Sequence, residues 1–131
     1  MSPGFQLSPS ETFRAFVAAI NAHSVAALAA LMTPDHLFVD SAGARVLGSE
    51  RMEMGWRAYF AMCPDYWVRV DEAMEDRGTI LAAGEAGGTI DGAPWRTPAA
   101  WKAVIGDGAV AEWRVYADNQ PAREILARRK A

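Results

Sequence analysis

The chain has 131 residues, 51% of them hydrophobic and 22% charged, which is the size and composition of one globular domain. A net charge of -3 gives no general attraction to phosphates, so we predict no nucleic-acid partner. No apolar run is long enough to cross a bilayer, and the opening MSPGFQLSPSETF has neither a basic leader nor an apolar core, so we expect a cytoplasmic protein without a membrane anchor.

The first predicted helix begins at a complete start signal. Ser8 supplies a capping oxygen, Pro9 takes the first helical position, and Glu11 lies three residues after the cap. Apolar residues then recur at helical spacing and form one stripe: Phe13, Phe16, Val17 and Ile20. The pattern predicts a helix that ends near Asn21 and turns this stripe to the core.

Two more helices are predicted before the long strands. Ser24 can cap a short helix, VAALAALM, which Thr33 and Pro34 end. Ser49 can cap a third helix, which ends before Pro64. The apolar face of this third helix carries Met52, Trp56, Tyr59, Phe60 and Cys63.

A short strand, DHLFVDSAG, is predicted between the second and third helices. Because side chains alternate along a strand, His36, Phe38 and Asp40 share one face. Asp40 is either a hydrated carboxylate that caps the following turn or a partly buried general base. His36 is either a structural hydrogen-bond donor or, because histidine titrates near neutral pH, a second catalytic candidate.

From Tyr66 onward the pattern changes to strands separated by turn residues. The predicted strands are YWVRVDEAME, TILAAGEAGGTI, TPAAWKAVI and AVAEWRVYA. Asp-Gly pairs in IDGAPW and IGDGAV predict tight hairpins, Pro121 ends the last strand, and AREILARR predicts a short terminal helix. The order predicts an α+β fold, one domain over residues 1–131, in which three helices cover one face of a mainly antiparallel sheet.

This order resembles the SnoaL-like branch of the nuclear transport factor 2-like superfamily, which includes ketosteroid isomerase and small polyketide cyclases. The segments that carry the resemblance are FVAAINAHSVAALAALMTPDHLFVD, LGSERM and DGAVAEWRVYAD. It covers nearly the whole chain and implies a cone, in which a strongly curved sheet wraps the helices and leaves an apolar pocket between them. It also implies a homodimer that pairs through the outer face of the sheet.

The resemblance assigns positions for catalysis one by one. In ketosteroid isomerase an Asp base acts beside an enolate that a Tyr and a protonated Asp hold. The base falls on Asp40, the Tyr on Phe16, and the protonated Asp on Trp101 or Ala100. Phe16 has no hydroxyl, and the indole N–H of Trp101 can donate only if it points into the cavity. We therefore expect no ketosteroid isomerase activity.

The tryptophans either fill the core or wall a flat pocket. The resemblance turns the strand face of Trp113, Val115 and Ala117 toward the cavity. Opposite this face, small residues of the predicted strand TILAAGEAGGTI can leave room for a ligand: Gly84, Ala86 and Gly88. The predicted ligand-binding residues are Phe16, Phe38, Trp56, Phe60, Trp101 and Trp113.

Two functions are compatible with such a pocket. The first is a cofactor-free isomerase, cyclase or dehydratase in which Asp40 is the general base for an apolar or polycyclic substrate. The second is a non-catalytic ligand-binding or regulatory dimer. A hydrolase that activates water between carboxylates is a weaker third option, because only Asp40 is assigned to the pocket. Neither of the two histidines lies in metal-ligand spacing, so we predict no metal.

Overall fold

Helices come first along the chain and long strands later, as the sequence predicts. The computed structural model describes residues 6–128. Within them the elements run in the order α1 (Pro9–Asn21), α2 (Val25–Ala30), β1 (Met32–Val39), β2 (Arg45–Leu47), α3 (Ser49–Met62), β3 (Trp67–Asp76), β4 (Thr79–Ile90), β5 (Ala93–Gly106), β6 (Ala109–Ala117) and α4 (Gln120–Ala127). No helix in this part of the chain is long and apolar enough to span a membrane.

All strands form one curved sheet in the order β2-β1-β6-β5-β4-β3. Every pair is antiparallel except β1 with β6. The predicted hairpin turns are present: Asp91 and Gly92 have φ of 52° and 78°, and Asp107 and Gly108 have φ of 53° and 75°. The predicted α+β class, with a curved and mainly antiparallel sheet around N-terminal helices, is confirmed.

Two boundaries and one short strand differ from the prediction. Strand β1 already begins at Met32, and Pro34 lies in the irregular stretch of β1–β6 pairing, where a missing N–H breaks no ladder bond. Strand β2 was not predicted within the turn-rich SAGARVLG, because three residues are too few to show an alternation of apolar and polar side chains. The N-cap of α3 is Gly48, at a φ of 105°, and Ser49 is the first helical residue.

The terminal helix is also longer than predicted at its start. It begins at Gln120, and the last residue of the predicted AREILARR, Arg129, lies outside the described residues. Ile125 of this helix is buried with Cys63 and Ile90 in a small apolar cluster. Helix α4 is therefore anchored to the end of the sheet.

The main core lies between α1 and the inner face of the sheet. Phe16 contacts Trp113 with ring centroids 4.7 Å apart, and both side chains are fully buried. We call this packed region the closed half; it contains Phe13, Phe16, Ile20, Trp101, Ala103 and Trp113. Asn21 ties α1 to β3, because its side chain donates to the Val68 carbonyl at 2.9 Å and accepts from the Val68 amide at 2.8 Å.

Candidate functional site

A cavity of about 340 Å³ lies between α3, α4 and the inner face of the sheet. This volume falls within the range of small-molecule sites. We call the region around it the open half. Its aromatic lining consists of Phe38, Trp56, Tyr59, Tyr66, Trp95 and Trp113.

Alanines on the sheet make the room for the cavity. Ala86 of β4, Ala99 of β5 and Ala117 of β6 line it opposite the aromatic residues of α3. The two glycines expected to leave space do something else. A Cβ at Gly84 would clash with the Arg69 carbonyl, and one at Gly88 would clash with the Cys63 sulfur. These glycines allow close packing, whereas the alanines bound the cavity.

Asp40 follows the last residue of β1 and lines the cavity. Its Oδ1 accepts hydrogen bonds from the backbone amides of Ala42 and Ala44, each at 2.9 Å. Asp40 thus fixes the turn between β1 and β2 through Oδ1, and within the described residues its Oδ2 has no hydrogen bond.

His36 lies in the core and does not line the cavity. Its side chain is fully buried, and Nδ1 lies 2.7 Å from the Val110 carbonyl oxygen. Because a carbonyl only accepts, Nδ1 carries the proton and donates. Burial lowers the pKa of His36, which keeps the ring neutral. The ring stacks on Phe16, with centroids 6.1 Å apart, so the predicted second catalytic residue is enclosed by protein.

The predicted ligand-binding residues divide into two groups. Phe38, Trp56 and Trp113 line the cavity, and the structure brings them together with Asp40. Phe16 and Trp101 belong to the closed half, with exposed fractions of 0% and 1%. Phe60 lies behind Trp56 with ring centroids 5.4 Å apart and stacks on a histidine, His23, on its other side.

Three aromatic lining residues were missed by sequence reasoning. Tyr59 was predicted on the apolar face of α3, one turn after Trp56, but was not named among the ligand-binding residues. Tyr66 precedes β3, and Trp95 lies in the part of β5 that was predicted to be a turn. The terminal helix also contributes Ala122, Arg123 and Leu126 to the lining, although no sequence signal connected it to a pocket.

The two tyrosines bring polar groups into an apolar wall. Their rings meet edge to face, with centroids 4.8 Å apart and an interplanar angle of 87°. Burial raises the pKa of Tyr59 and that of Tyr66 far above the ordinary value of 10.0, so both phenols stay protonated. Within the described residues no hydrogen bond engages either hydroxyl.

Metal-ligating side chains do not gather at this cavity. The described part of the chain contains no group of three or more His, Cys, Asp or Glu side chains able to hold a metal ion.

A family model for the SnoaL-like domain matches residues 13–113. The span includes Asp40 and every predicted ligand-binding residue. No curated protein matches the sequence.

Solved structures share the fold. A protein with a ketosteroid isomerase-like fold from Catenulispora acidiphila DSM 44928, in complex with trimethylamine, has 24% identity and a TM-score of 0.75 over 81% of this chain and 84% of its own. An NTF2-like protein of unknown function from Cytophaga hutchinsonii ATCC 33406 has 17% identity and a TM-score of 0.74 over 94% and 99%. A protein described as a SnoaL-like polyketide cyclase from Shewanella denitrificans OS-217 has 11% identity and a TM-score of 0.81 over 91% and 96%. At these identities the likeness concerns the fold.

Proposed function

This chain belongs to the SnoaL-like domain family, and on that premise we propose that it binds a flat, largely apolar small molecule in the open half and moves a proton on it with Asp40 as general base. The proposal requires no cofactor. Isomerisation, aldol-type cyclisation and dehydration all begin with such a step.

The observation that supports this proposal most is that a largely apolar cavity wall contains one carboxylate among the described residues, that of Asp40. Aromatic and aliphatic side chains form most of the lining, and Asp40 is its one carboxylate within residues 6–128. An apolar surface favours a ligand of the same character. A single carboxylate with a free oxygen beside that ligand is the group that can accept a proton from it.

The proposed step is balanced. Oδ2 of Asp40 takes the proton of an acidic C–H, and the electron pair of that bond moves into the conjugated system of the ligand. The ligand becomes an enolate and Asp40 becomes a carboxylic acid. Asp40 then returns the proton to the same carbon or to another, or exchanges it with water first.

Deuterium exchange into anthrone tests the step without knowledge of the natural substrate. Anthrone is a flat, three-ring ketone with acidic C–H bonds across the central ring from its carbonyl. In deuterated buffer without oxygen, we expect the protein to speed exchange at this carbon, and Asp40→Asn to slow the catalysed exchange about a hundredfold or more. The amide oxygen of Asn can keep the bonds to Ala42 and Ala44, so the turn should survive.

Asp35→Asn is the matched control, because Asp35 is an exposed carboxylate of β1, five residues before Asp40, and lies outside the cavity lining. We expect this variant to exchange anthrone like the wild type. Equal exchange by the wild type and Asp40→Asn, at equal occupancy of the cavity, would rule out Asp40 as the base.

A non-catalytic binding module is the second candidate. One observation favours it: Oδ1 of Asp40 is committed to two backbone amides, as expected of a residue kept for its turn. Anthrone that binds saturably but exchanges at the rate of buffer alone would support this candidate over the enzyme.

We also propose a homodimer that pairs through the outer face of the sheet. Two ion-pair groups of mixed sign border this face: Arg69 with Glu85 at 2.9 Å, and Arg114 with Glu112 at 3.2 Å. Tyr116 follows Arg114 by two residues on β6 and is 51% exposed. Such a surface offers both charges and an aromatic contact to a second copy.

Light scattering tests the dimer. We expect a dimer for the wild type, monomer for Tyr116→Glu, and dimer for Met54→Glu, since Met54 is exposed on α3 away from the sheet. A wild type that stays monomeric at high concentration would remove this surface as an interface. The cytoplasmic location remains a prediction from the sequence.

A further inference from the structure

We propose that Arg123 forms an anion subsite at the mouth of the cavity, which receives a carboxylate of the ligand. The inference rests on the proposed binding of a flat, largely apolar molecule in the open half. It names the class of that molecule: an aromatic acid that carries one ionised carboxyl group. The subsite selects and orients the ligand, and it takes no part in the proton transfer at Asp40.

The first evidence is the charge of the cavity wall. Within residues 6–128, Arg123 is the one cationic side chain of the lining. No ion pair or hydrogen bond engages its guanidinium within these residues, so Asp40, the carboxylate of the same lining, leaves it unpaired. The adjacent acid in the chain, Glu124, accepts a hydrogen bond from Nε2 of Gln120 at 3.1 Å instead. The guanidinium of Arg123 is therefore available to a ligand.

The second evidence is that helix α4 is held in place beside the cavity. Ile125 is buried with Cys63 and Ile90 at the end of the sheet. One helical turn before Arg123, Asn119 also lines the cavity, and its carbonyl accepts from the Arg123 amide at 2.9 Å. The Asn119 side chain has no hydrogen bond within the described residues. A carboxylate bound at Arg123 can therefore also accept from the carboxamide of Asn119.

The third evidence is the change from a wet mouth to an apolar wall. Arg123 lines the cavity and is exposed to solvent, whereas Trp56 and Trp113 of the same lining are 6% and 1% exposed. Because a carboxylate loses its hydration only at a large cost in free energy, it stays at the mouth while the rings enter the apolar part. One cavity thus suits both ends of an aromatic acid.

The position of Asp40 sets the direction in which the ligand binds. Asp40 follows β1, whereas α4 packs on β4 and β5, which lie two and three strands away from β1 in the sheet. This separation is about 10–15 Å along the sheet. Asp40 repels a carboxylate and Arg123 attracts it. The anionic end of the ligand therefore lies toward α4, and the carbon that loses a proton lies toward Asp40.

A carboxylate fits this subsite better than a phosphate does. One guanidinium forms two parallel N–H···O bonds to a carboxylate and balances its single charge. A phosphate with a second negative charge would find no second cation in the lining within residues 6–128, and it would face the carboxylate of Asp40. The net charge of -3 on the chain adds to that repulsion.

Two probes of the same shape test the subsite. At neutral pH 2-naphthoate is an anion and 2-naphthamide is neutral, and isothermal titration calorimetry gives the Kd of each. We expect the wild type to bind 2-naphthoate roughly three- to tenfold more tightly than 2-naphthamide. Arg123→Gln should abolish this preference and leave the Kd of 2-naphthamide unchanged, which also reports an intact cavity. Arg123→Lys should keep part of it, because the ammonium attracts the anion but lacks the planar fork.

Arg128→Gln is the matched control. It removes the same charge from an exposed residue that directly follows α4 and lies outside the cavity lining, so the preference for 2-naphthoate should survive. Salt gives a second readout on the wild type. Raising the ionic strength to about 0.5 M should weaken binding of 2-naphthoate and leave that of 2-naphthamide unchanged, because an exposed ion pair is screened.

The possible failures are distinguishable. If 2-naphthamide binds but 2-naphthoate binds no more tightly, the anion subsite is wrong and the proposed function stands. A preference that survives Arg123→Gln, or that Arg128→Gln lowers equally, also overturns the subsite, since the general charge of the protein would then be its cause. If neither probe binds, the proposed function fails together with the subsite.

Discussion

The closed and open halves of this domain are built from the same strands, yet only one of them is filled. On the inner face of β5, Trp101 and Ala103 are packed into the closed half, with exposed fractions of 1% and 0%, while Ala99 faces the cavity. Trp113 of β6 stands at the boundary, because it contacts Phe16 and also lines the cavity. Because the two halves share their strands, the sizes of the side chains that face each other, rather than the strand geometry, decide where the packed core ends.

The largest difference in the free energy of unfolding should appear between alanine substitutions at two phenylalanines, one in each half. Phe16→Ala removes a fully buried ring from the closed half and should lower the free energy of unfolding by about 3–5 kcal/mol. Phe38→Ala removes a half-buried ring from the cavity wall, where part of the surface is already open, and should cost less than half as much. Urea unfolding of both variants gives the comparison; equal losses would mean that the open half is packed like the closed one.

A larger side chain should change the free energy of unfolding differently at two alanines on the same face of β5. Ala103→Leu forces extra atoms into a filled core and should cost about 1–3 kcal/mol. Ala99→Leu extends into the cavity and should change the free energy of unfolding by less than about 1 kcal/mol. The same Ala99→Leu should weaken anthrone binding, because the side chain occupies the space of the ligand. A stable Ala103→Leu beside an unstable Ala99→Leu would reverse our assignment of the halves.

The smallest effect concerns pH and His36 in the closed half. Burial lowers its folded pKa below the ordinary value of 6.5, and the bond to Val110 and the charges of Asp35 and Glu112 offset this only in part. As the pH falls through 6.5, His36 binds a proton in the unfolded chain but stays neutral in the folded chain, so the free energy of unfolding falls. His36→Gln should flatten this slope. Unfolding curves between pH 8 and about pH 5 measure it, and a slope unchanged by the substitution would contradict the buried neutral ring.

Much of the fold was readable from the sequence because its signals are local. The start of α1 appears as a capping box on Ser8 and Glu11, and Asp-Gly pairs mark two hairpins. The family resemblance added the curvature of the sheet and the position of Asp40. These features depend on neighbours in sequence or on the order of elements, so they need no tertiary contact to be seen.

The cavity lining was readable only in part because it depends on how elements meet. Trp56 and Phe38 were predicted because the helix and strand periods of the sequence show which face each of them shares. Tyr66 lies in no helix or strand. Its backbone is held by hydrogen bonds to the Cys63 carbonyl and to the side chain of His23, and no periodicity in the sequence connects these residues. The role of α4 depends on Ile125 docking at the end of the sheet, which no local signal announces.

The five tryptophans allow a direct comparison of the two halves by NMR. Their indole N–H signals, assigned with single Trp→Phe variants, are followed while anthrone is added without oxygen. If the open half is the ligand site, the signals of Trp56, Trp95 and Trp113 shift saturably, and those of Trp67 and Trp101 stay in place. Shifts confined to Trp67 or Trp101, or no saturable shift at all, would contradict the assignment of the open half as a ligand site.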